Sequence, residues 1–327
     1  MTEFDGRHLF VRHPSNPIIT ADDLPYPANT VFNPGAARVN GETILLMRVE
    51  DLRGISSLHV ARSTDGISNW RMDEAPLLTP DPAHPEEVWG CEDPRLMFLT
   101  ERQEWAITYT AYSNRGPLVS LAMTTDFRTV RRLGPVMPPD DKDAALFPHR
   151  FDGRWIMIHR PAPLTGPAHI WISHSPDLRH WGDHSVLIEA REGAWWDAGK
   201  IGLGPPPLAT AEGWLVMYHG AHTTASGPIY RVGLALLDLE HPEIVLRRSD
   251  EWVMGPTRSY EAIGDVDNVI FPNGWVLDEA ADSLALYYGA GDSVVGLTIA
   301  RFSQVMDYMM RTPQYHRRRA SDDGCGG

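Results

Sequence analysis

The run Gly213-Trp-Leu-Val-Met-Tyr-His-Gly220 and its successor, Val232-Gly-Leu-Ala-Leu-Leu-Asp-Leu239, decide the fold. Each is a short apolar stretch of strand length, bounded by glycine or polar residues. The same pair occurs four more times. The other first members are Thr43-Ile-Leu-Leu-Met-Arg-Val-Glu50, Glu104-Trp-Ala-Ile-Thr-Tyr-Thr-Ala-Tyr112, Arg154-Trp-Ile-Met-Ile-His-Arg160 and Ser283-Leu-Ala-Leu-Tyr-Tyr-Gly289. Their partners are Leu58-His-Val-Ala-Arg-Ser-Thr-Asp65, Val119-Ser-Leu-Ala-Met-Thr-Thr-Asp126, His169-Ile-Trp-Ile-Ser-His-Ser-Pro-Asp177 and Val295-Gly-Leu-Thr-Ile-Ala-Arg301.

The partner runs share one logic. A strand reaches an aspartate, which tolerates the backbone angles of a tight turn, and a tryptophan often follows, as at Trp70 and Trp181. With Ala61, Ala122, Ile172, Ala235 and Thr298 taken as equivalent, the spacings are 61, 50, 63 and 63 residues, so five units fill the chain. Short antiparallel strands recurring at this period predict an all-β fold, a five-bladed β-propeller, forming a single catalytic domain over residues 1–311. One blade cannot bury both faces of its sheet, so the blades stack around an axis. A β-sandwich with a long insertion accounts for the strands and leaves the fivefold recurrence unexplained. The stretch 301–310 reads as a short helix or a last strand. Residues 312–327, with Arg317, Arg318 and Arg319 and a small polar end, read as a disordered tail.

Composition narrows the function. Hydrophobic residues make up 43% of the 327, enough for a sizeable core, and 27 prolines, 28 glycines and 11 tryptophans suit a loop-rich, aromatic-rich β protein. No apolar run reaches the roughly 18 residues of a membrane span, and the first residues carry no apolar signal segment. Only Cys91 and Cys325 occur, which argues against a disulfide framework and fits a reducing cytoplasm. A net charge of −14 argues against nucleic acid as partner and leaves room for one basic pocket holding a small anion. A homo-oligomer stays open.

The chemistry concentrates at Val88-Trp-Gly-Cys-Glu-Asp-Pro-Arg95, ahead of the strand-like Leu96-Met97-Phe98-Leu99. A carboxylate pair beside a flat aromatic suits gripping a sugar and protonating a glycosidic oxygen. The same residues also read as a loop in which Glu92 or Asp93 pairs with Arg95. Propeller loops gather side chains from every blade at one end of the axis. The polar residues near the strand ends are therefore candidates: Asn33, Arg48, Asp51, Lys142, Asp143, Arg160, Lys200, His219, Tyr230, Glu261 and Asp292. Arg48, Lys142, Arg160 and Lys200 sit beside apolar or aromatic neighbours. Singly each reads as a salt-bridge partner; converging, they make an anion site. Cys91 lacks any indicated histidine base for a nucleophile's role. His174, His180 and His184 match no zinc spacing, and no metal is expected.

In combination, Gly90-Cys-Glu-Asp-Pro-Arg95, Lys142-Asp-Ala-Ala-Leu-Phe-Pro148, His159-Arg-Pro161, Lys200-Ile-Gly202, Tyr218-His-Gly220 and Tyr288-Gly-Ala-Gly-Asp292 resemble glycoside hydrolase family 130, the β-mannoside phosphorylases. The resemblance runs from about Asn16 to Arg301. It implies a five-bladed propeller and inverting phosphorolysis of a β-mannoside, either mannosyl-glucose or a β-manno-oligosaccharide, giving α-mannose 1-phosphate. The implied partners are carbohydrate and inorganic phosphate, the latter as co-substrate, with no cofactor. The resemblance gives Asp93 the role of acid, acting through a mannose hydroxyl. It puts phosphate on Asn33, Arg160, Lys200, His219 and Tyr230, with Lys142 either on phosphate or bracing the Asp143 loop. It puts mannose on Arg48, Asp51, Glu92, Glu261 and Asp292. Some family members are hydrolases without the basic phosphate residues; Arg160 and Lys200 favour a phosphorylase here. The alternatives are a β-mannoside hydrolase using Glu50, Asp51 or Glu261 as base, and a non-catalytic sugar-binding propeller.

Overall fold

Each pair of runs forms the second and third strands of an antiparallel group, and a further strand that neither run contains precedes them. A computed structural model describes residues 6–225 and 227–315. The first group is Thr30–Val39, Glu42–Glu50 and Ser56–Ser63, with Arg71–Met72 at its edge. The second is Gly90–Leu99, Glu104–Ser113, Gly116–Thr124 and Arg131–Pro135. The third is Asp141–Leu146, Trp155–Pro161, Ile170–Ser175 and Gly182–Ile188. The fourth is Lys200–Leu203, Trp214–Thr224, Gly227–Leu237 and Val245–Arg248. The fifth is Ile270–Asp278, Ser283–Ala290 and Val294–Arg301, completed by Val11–Arg12 from the start of the chain. The first two groups share one sheet through a single parallel bridge, Ser56 to Gly90.

The five equivalent positions fall in one register. Ala61 lies opposite Leu45, Ala122 opposite Ile107, Ile172 opposite Ile158, Ala235 opposite Val216 and Thr298 opposite Leu286. All five are buried. The turn aspartates act as the sequence requires. Asp65, Asp126, Asp177 and Asp238 each accept two backbone N–H groups from residues two and three positions on. Trp70 and Trp181 close their turns by donating Nε1–H to the Ile67 and Leu178 carbonyls, each at 3.2 Å.

Alternation along the strands divides the core. In Glu42–Glu50, Ile44 and Leu46 pack with Leu96 and Ile107 of the second group, while Leu45 and Met47 pack with Tyr287 and Leu297 of the fifth. The same sharing recurs between the second and third groups (Leu121, Met157), the third and fourth (Ile158, Val216) and the fourth and fifth (Leu234, Leu286). The ambiguous stretch near 301–310 resolves at Arg301: the strand ends there and a helix, Phe302–Arg311, buries Val305, Met306 and Met309 against the fourth and fifth groups. Residues 312–315, expected to open the tail, dock on strand Val245–Arg248, with Gln314 bridging Arg247. The expected tail from 316 on, Cys325 included, lies outside the described residues. Among the described residues no helix is long and apolar enough to cross a membrane.

Candidate active site

The leading strands carry the site because their ladders are broken at matching places. The register shifts between Phe32 and Gly35, between Glu92 and Arg95, and between Lys142 and Ala145. Inside these three bulges sit Asn33, Asp93 and Asp143, with φ of 46°, 49° and 54°. The left-handed backbone re-aims each side chain out of the sheet's alternation. Asn and Asp are among the few non-glycine residues that adopt it readily.

Asp93 is buried, and its Oδ1 accepts from Asn33 Nδ2 at 2.8 Å and from Arg48 Nη1 at 3.2 Å. Arg48 also reaches Glu92 Oε1 at 3.0 Å and Ser56 Oγ at 2.9 Å, and stacks on Phe32. Burial by itself would push the Asp93 carboxyl up. The charges of Arg48, Lys142 and Arg95 and the Asn33 hydrogen bond outweigh it and hold Asp93 below the ordinary carboxylate range. Its neighbour Glu92 moves up, because burial and the Asp93 charge outweigh Arg48 and Lys142. Asp292, in the turn after strand Ser283–Ala290, is pushed up to about 6 by burial and by the Asp93 charge. One carboxylate thus stays ionised amid two that resist ionisation.

Asp143 organises the second half of the site. Its Oδ2 accepts from Arg160 Nε at 2.7 Å and lies 3.5 Å from His219 Nε2, while Arg95 Nη2 reaches Oδ1 at 3.3 Å. The charges of Arg160, Arg95 and Lys142 hold it far below the carboxylate range against the effect of burial. Arg95 also donates to the Asp93 carbonyl at 3.0 Å, tying the two bulges together. Gly202 gives Asp143 its room: a Cβ there would stand 2.2 Å from Asp143 Oδ2. His219 packs against Phe271 and Tyr230, with ring centroids 4.6 Å and 5.8 Å away. Burial pushes its imidazole down to about 3, so the ring is neutral. Its Nδ1 has no partner among the described residues. Lys200 sets Nζ 5.0 Å from the Tyr230 ring centroid, and Lys142 lies opposite Arg160 in the ladder. Among the described residues neither lysine forms an ion pair.

Ten of the twelve expected residues therefore belong to two linked clusters. Asn33, expected on phosphate, is committed to Asp93. Two stand apart. Asp51 lies in a surface turn, where it accepts from Arg53 Nε and Nη2 and from the backbone of Arg53 and Ile55. Glu261 is fully buried and accepts five hydrogen bonds, from Arg12 Nε and Nη2, the Tyr288 hydroxyl and the N–H groups of Thr257 and Arg258. Its lone pairs are committed to bracing the chain's start against the fifth group. Cys91 is buried, and burial beside Glu87 pushes its thiol well up, which leaves no thiolate. His180 pairs with Asp177 at the surface and His184 with Ser173. Asp143 and Asn273 are central residues that motif reading undervalued. Asn273 is buried and donates to the Asn33 carbonyl at 3.3 Å. The available signal was the recurrence of Asn or Asp near the start of four of the five leading strands, at Asn33, Asp93, Asp143 and Asn273.

The chain is similar to known proteins along most of its length. The family model for glycoside hydrolase 130, described as β-1,4-mannooligosaccharide phosphorylase, matches residues 11–311. The chain is 32% identical to the β-1,4-mannooligosaccharide phosphorylase of Ruminococcus albus, over 93% of this chain and 92% of that protein. It is 30% identical to the β-1,2-mannobiose phosphorylase of Listeria innocua, over 90% and 97%. The structure of a Listeria innocua β-1,2-mannobiose phosphorylase bound to β-1,2-mannobiose superposes with a TM-score of 0.83 at 29% identity, covering 92% of this chain and 99% of that one. On the motifs around Asp93 and Asp143 and on these matches, the chain belongs to glycoside hydrolase family 130, the mannoside phosphorylase family.

Proposed function

We propose that the protein cleaves β-mannosides with inorganic phosphate, with inversion, to give α-mannose 1-phosphate. The observation that carries this reading is the second cluster: Arg160 and a neutral His219 meet at Asp143, Lys142 stands opposite Arg160 in the ladder, Lys200 lies over the Tyr230 ring that packs on His219, and among the described residues neither lysine is spent in an ion pair. In a chain of net charge −14, such a cluster is what draws a dianion in.

In this mechanism Arg160, Lys200, His219 and Tyr230, with Lys142 at the edge, hold phosphate against the face of the mannose opposite the leaving group. Phosphate oxygen forms the new bond to the anomeric carbon as the bond to the bridging oxygen breaks. Asp93 supplies the proton that the leaving alcohol takes up, relayed through a mannose hydroxyl. Asp93 is ionised in the empty site, and the incoming dianion cancels the cationic field that keeps it so. Proton uptake by Asp93 is thereby coupled to phosphate binding. Arg48, Glu92 and Asp292 line the sugar side. The substrates this supports are β-manno-oligosaccharides and mannosyl-glucose, as the names of the relatives suggest.

Two features count against a water-activating hydrolase. Glu261 has no free lone pair, and Asp51 is held in its own turn. We further propose that the five groups are the blades of a five-bladed propeller making one domain. The five shared cores support a ring, as does the approach of Gly274 to Ala36, where a Cβ would lie 2.2 Å from the Ala36 nitrogen. Product analysis with and without phosphate tests the activity.

A further inference from the structure

Behind the bulge that presents Asp143 runs a line of buried polar side chains with no part in the mechanism above. Asp141 opens strand Asp141–Leu146. Its Oδ2 lies 2.6 Å from His159 Nδ1, and its Oδ1 accepts the Arg160 backbone N–H at 3.1 Å. His159 Nε2 lies 2.6 Å from Ser173 Oγ, which is 2.7 Å from His184 Nδ1. Asp141, His159 and Ser173 are buried, and His184 is exposed.

The order Ser173, His159, Asp141 has the connectivity of a hydrolytic triad. Ser173 is nonetheless fully buried, and its Oγ is engaged on both sides, so no substrate reaches it. The line admits a consistent polarity instead. With Asp141 accepting, His159 donates from Nδ1; where Nε2 accepts from the Ser173 hydroxyl, that oxygen accepts from His184. Every link has one donor and one acceptor, the condition under which a buried polar network fixes one geometry.

We propose that Asp141 and His159 are positioning residues for phosphate, an inference that rests on the phosphorylase reading. Asp141 ties the ring of one residue and the backbone of the next, His159 and Arg160, to the residue just before Lys142 and Asp143. Lys142 faces Arg160 in the ladder, and Arg160 Nε binds Asp143. One clamp therefore sets two of the phosphate cations and the carboxylate that orients them. Asn33, Arg48 and Asp93 hang on other groups of strands, and Arg95, which joins Asp93 to Asp143, keeps its hold on the Leu203 and Gly204 carbonyls if the clamp loosens. A defect here is felt by phosphate and hardly by the sugar.

The test is initial-rate kinetics of the full-length protein with inorganic phosphate and a β-mannobiose that the wild type turns over. His159→Asn keeps an N–H where Nδ1–H meets Asp141; His159→Gln keeps the Ser173 side and loses the Asp141 side. We expect the Gln variant to raise the phosphate KM about tenfold, the effect of one charge-assisted hydrogen bond, with the mannoside KM within about twofold. The Asn variant should stay within about threefold of wild type on both. Equal phosphate KM values in the two variants, or a mannoside KM that rises alongside, would overturn the proposal. Should both lose their fold by circular dichroism, Asp141→Asn is expected to show the same selective rise, and an unchanged phosphate KM there would overturn it. A wild type that cleaves mannoside equally well without phosphate would instead defeat the phosphorylase reading, before any variant is made.

Discussion

Asn33 donates its Nδ2–H to Asp93 Oδ1 across 2.8 Å, joining two left-handed bulge residues from different groups of strands. Arg48 takes the same oxygen, and among the described residues no donor reaches Oδ2. One side of the carboxylate is thus fixed, and the other faces the open side of the cluster with its lone pairs available for a proton. Asn33→Ala removes one hydrogen bond to a charged group, worth about 1.5–3 kcal/mol. Turnover should fall roughly ten- to a hundredfold with the phosphate KM little changed. A loss confined to the phosphate KM would return Asn33 to the phosphate side.

Asp93→Asn keeps the shape and the Arg48 contact but carries no transferable proton. The turnover number should drop by about 10² to 10⁴ while circular dichroism and the melting temperature stay near wild type. Near-normal turnover in a folded variant would remove Asp93 from the acid's role.

Much of this arrangement was legible in the sequence. The five pairs of runs are the second and third strands of five groups, and Ala61, Ala122, Ile172, Ala235 and Thr298 share one register, because a strand buried on both faces must be apolar throughout. Of the leading strands only the piece Leu96 to Leu99 was legible, and the rest escaped notice for the converse reason. They are interrupted by bulges at Asn33, Asp93 and Asp143, so their pattern is polar and broken where the chemistry sits. The burial of Glu261 was not legible, because the arginine on its oxygens, Arg12, lies 249 residues away in the sequence.

Asp292 has a pKa of about 6 in the folded protein against 3.8 for a free aspartate, so folding disfavours its ionised form. Its contribution to stability is full below pH 4 and is lost as pH rises through about 6. Asp292→Asn should therefore be more stable than wild type above pH 6, by about 2 kcal/mol after allowance for its partial exposure, and equal to it near pH 4. Denaturant midpoints across pH 4–8 check this; a gap that does not change with pH would show that Asp292 is not the titrating group.

Arg12 lies on the strand that completes the fifth group, and it is the charge partner of the fully buried Glu261. Arg12→Ala strands that carboxylate and should cost about 3 kcal/mol or more. The cores are shared between neighbours, so unfolding should remain one cooperative transition. Two separated transitions in calorimetry, or two stable proteolytic fragments of comparable size, would contradict a single domain.

The central claim is that phosphate, held by Arg160 and Lys200, is the nucleophile. The direct measurement is phosphorus NMR and sugar analysis of a β-mannobiose digested with the protein, with inorganic phosphate present or rigorously removed. α-Mannose 1-phosphate is expected when phosphate is present, with essentially no cleavage when it is absent and a strongly raised phosphate KM in Lys200→Ala. Free mannose formed at an unchanged rate without phosphate would contradict it.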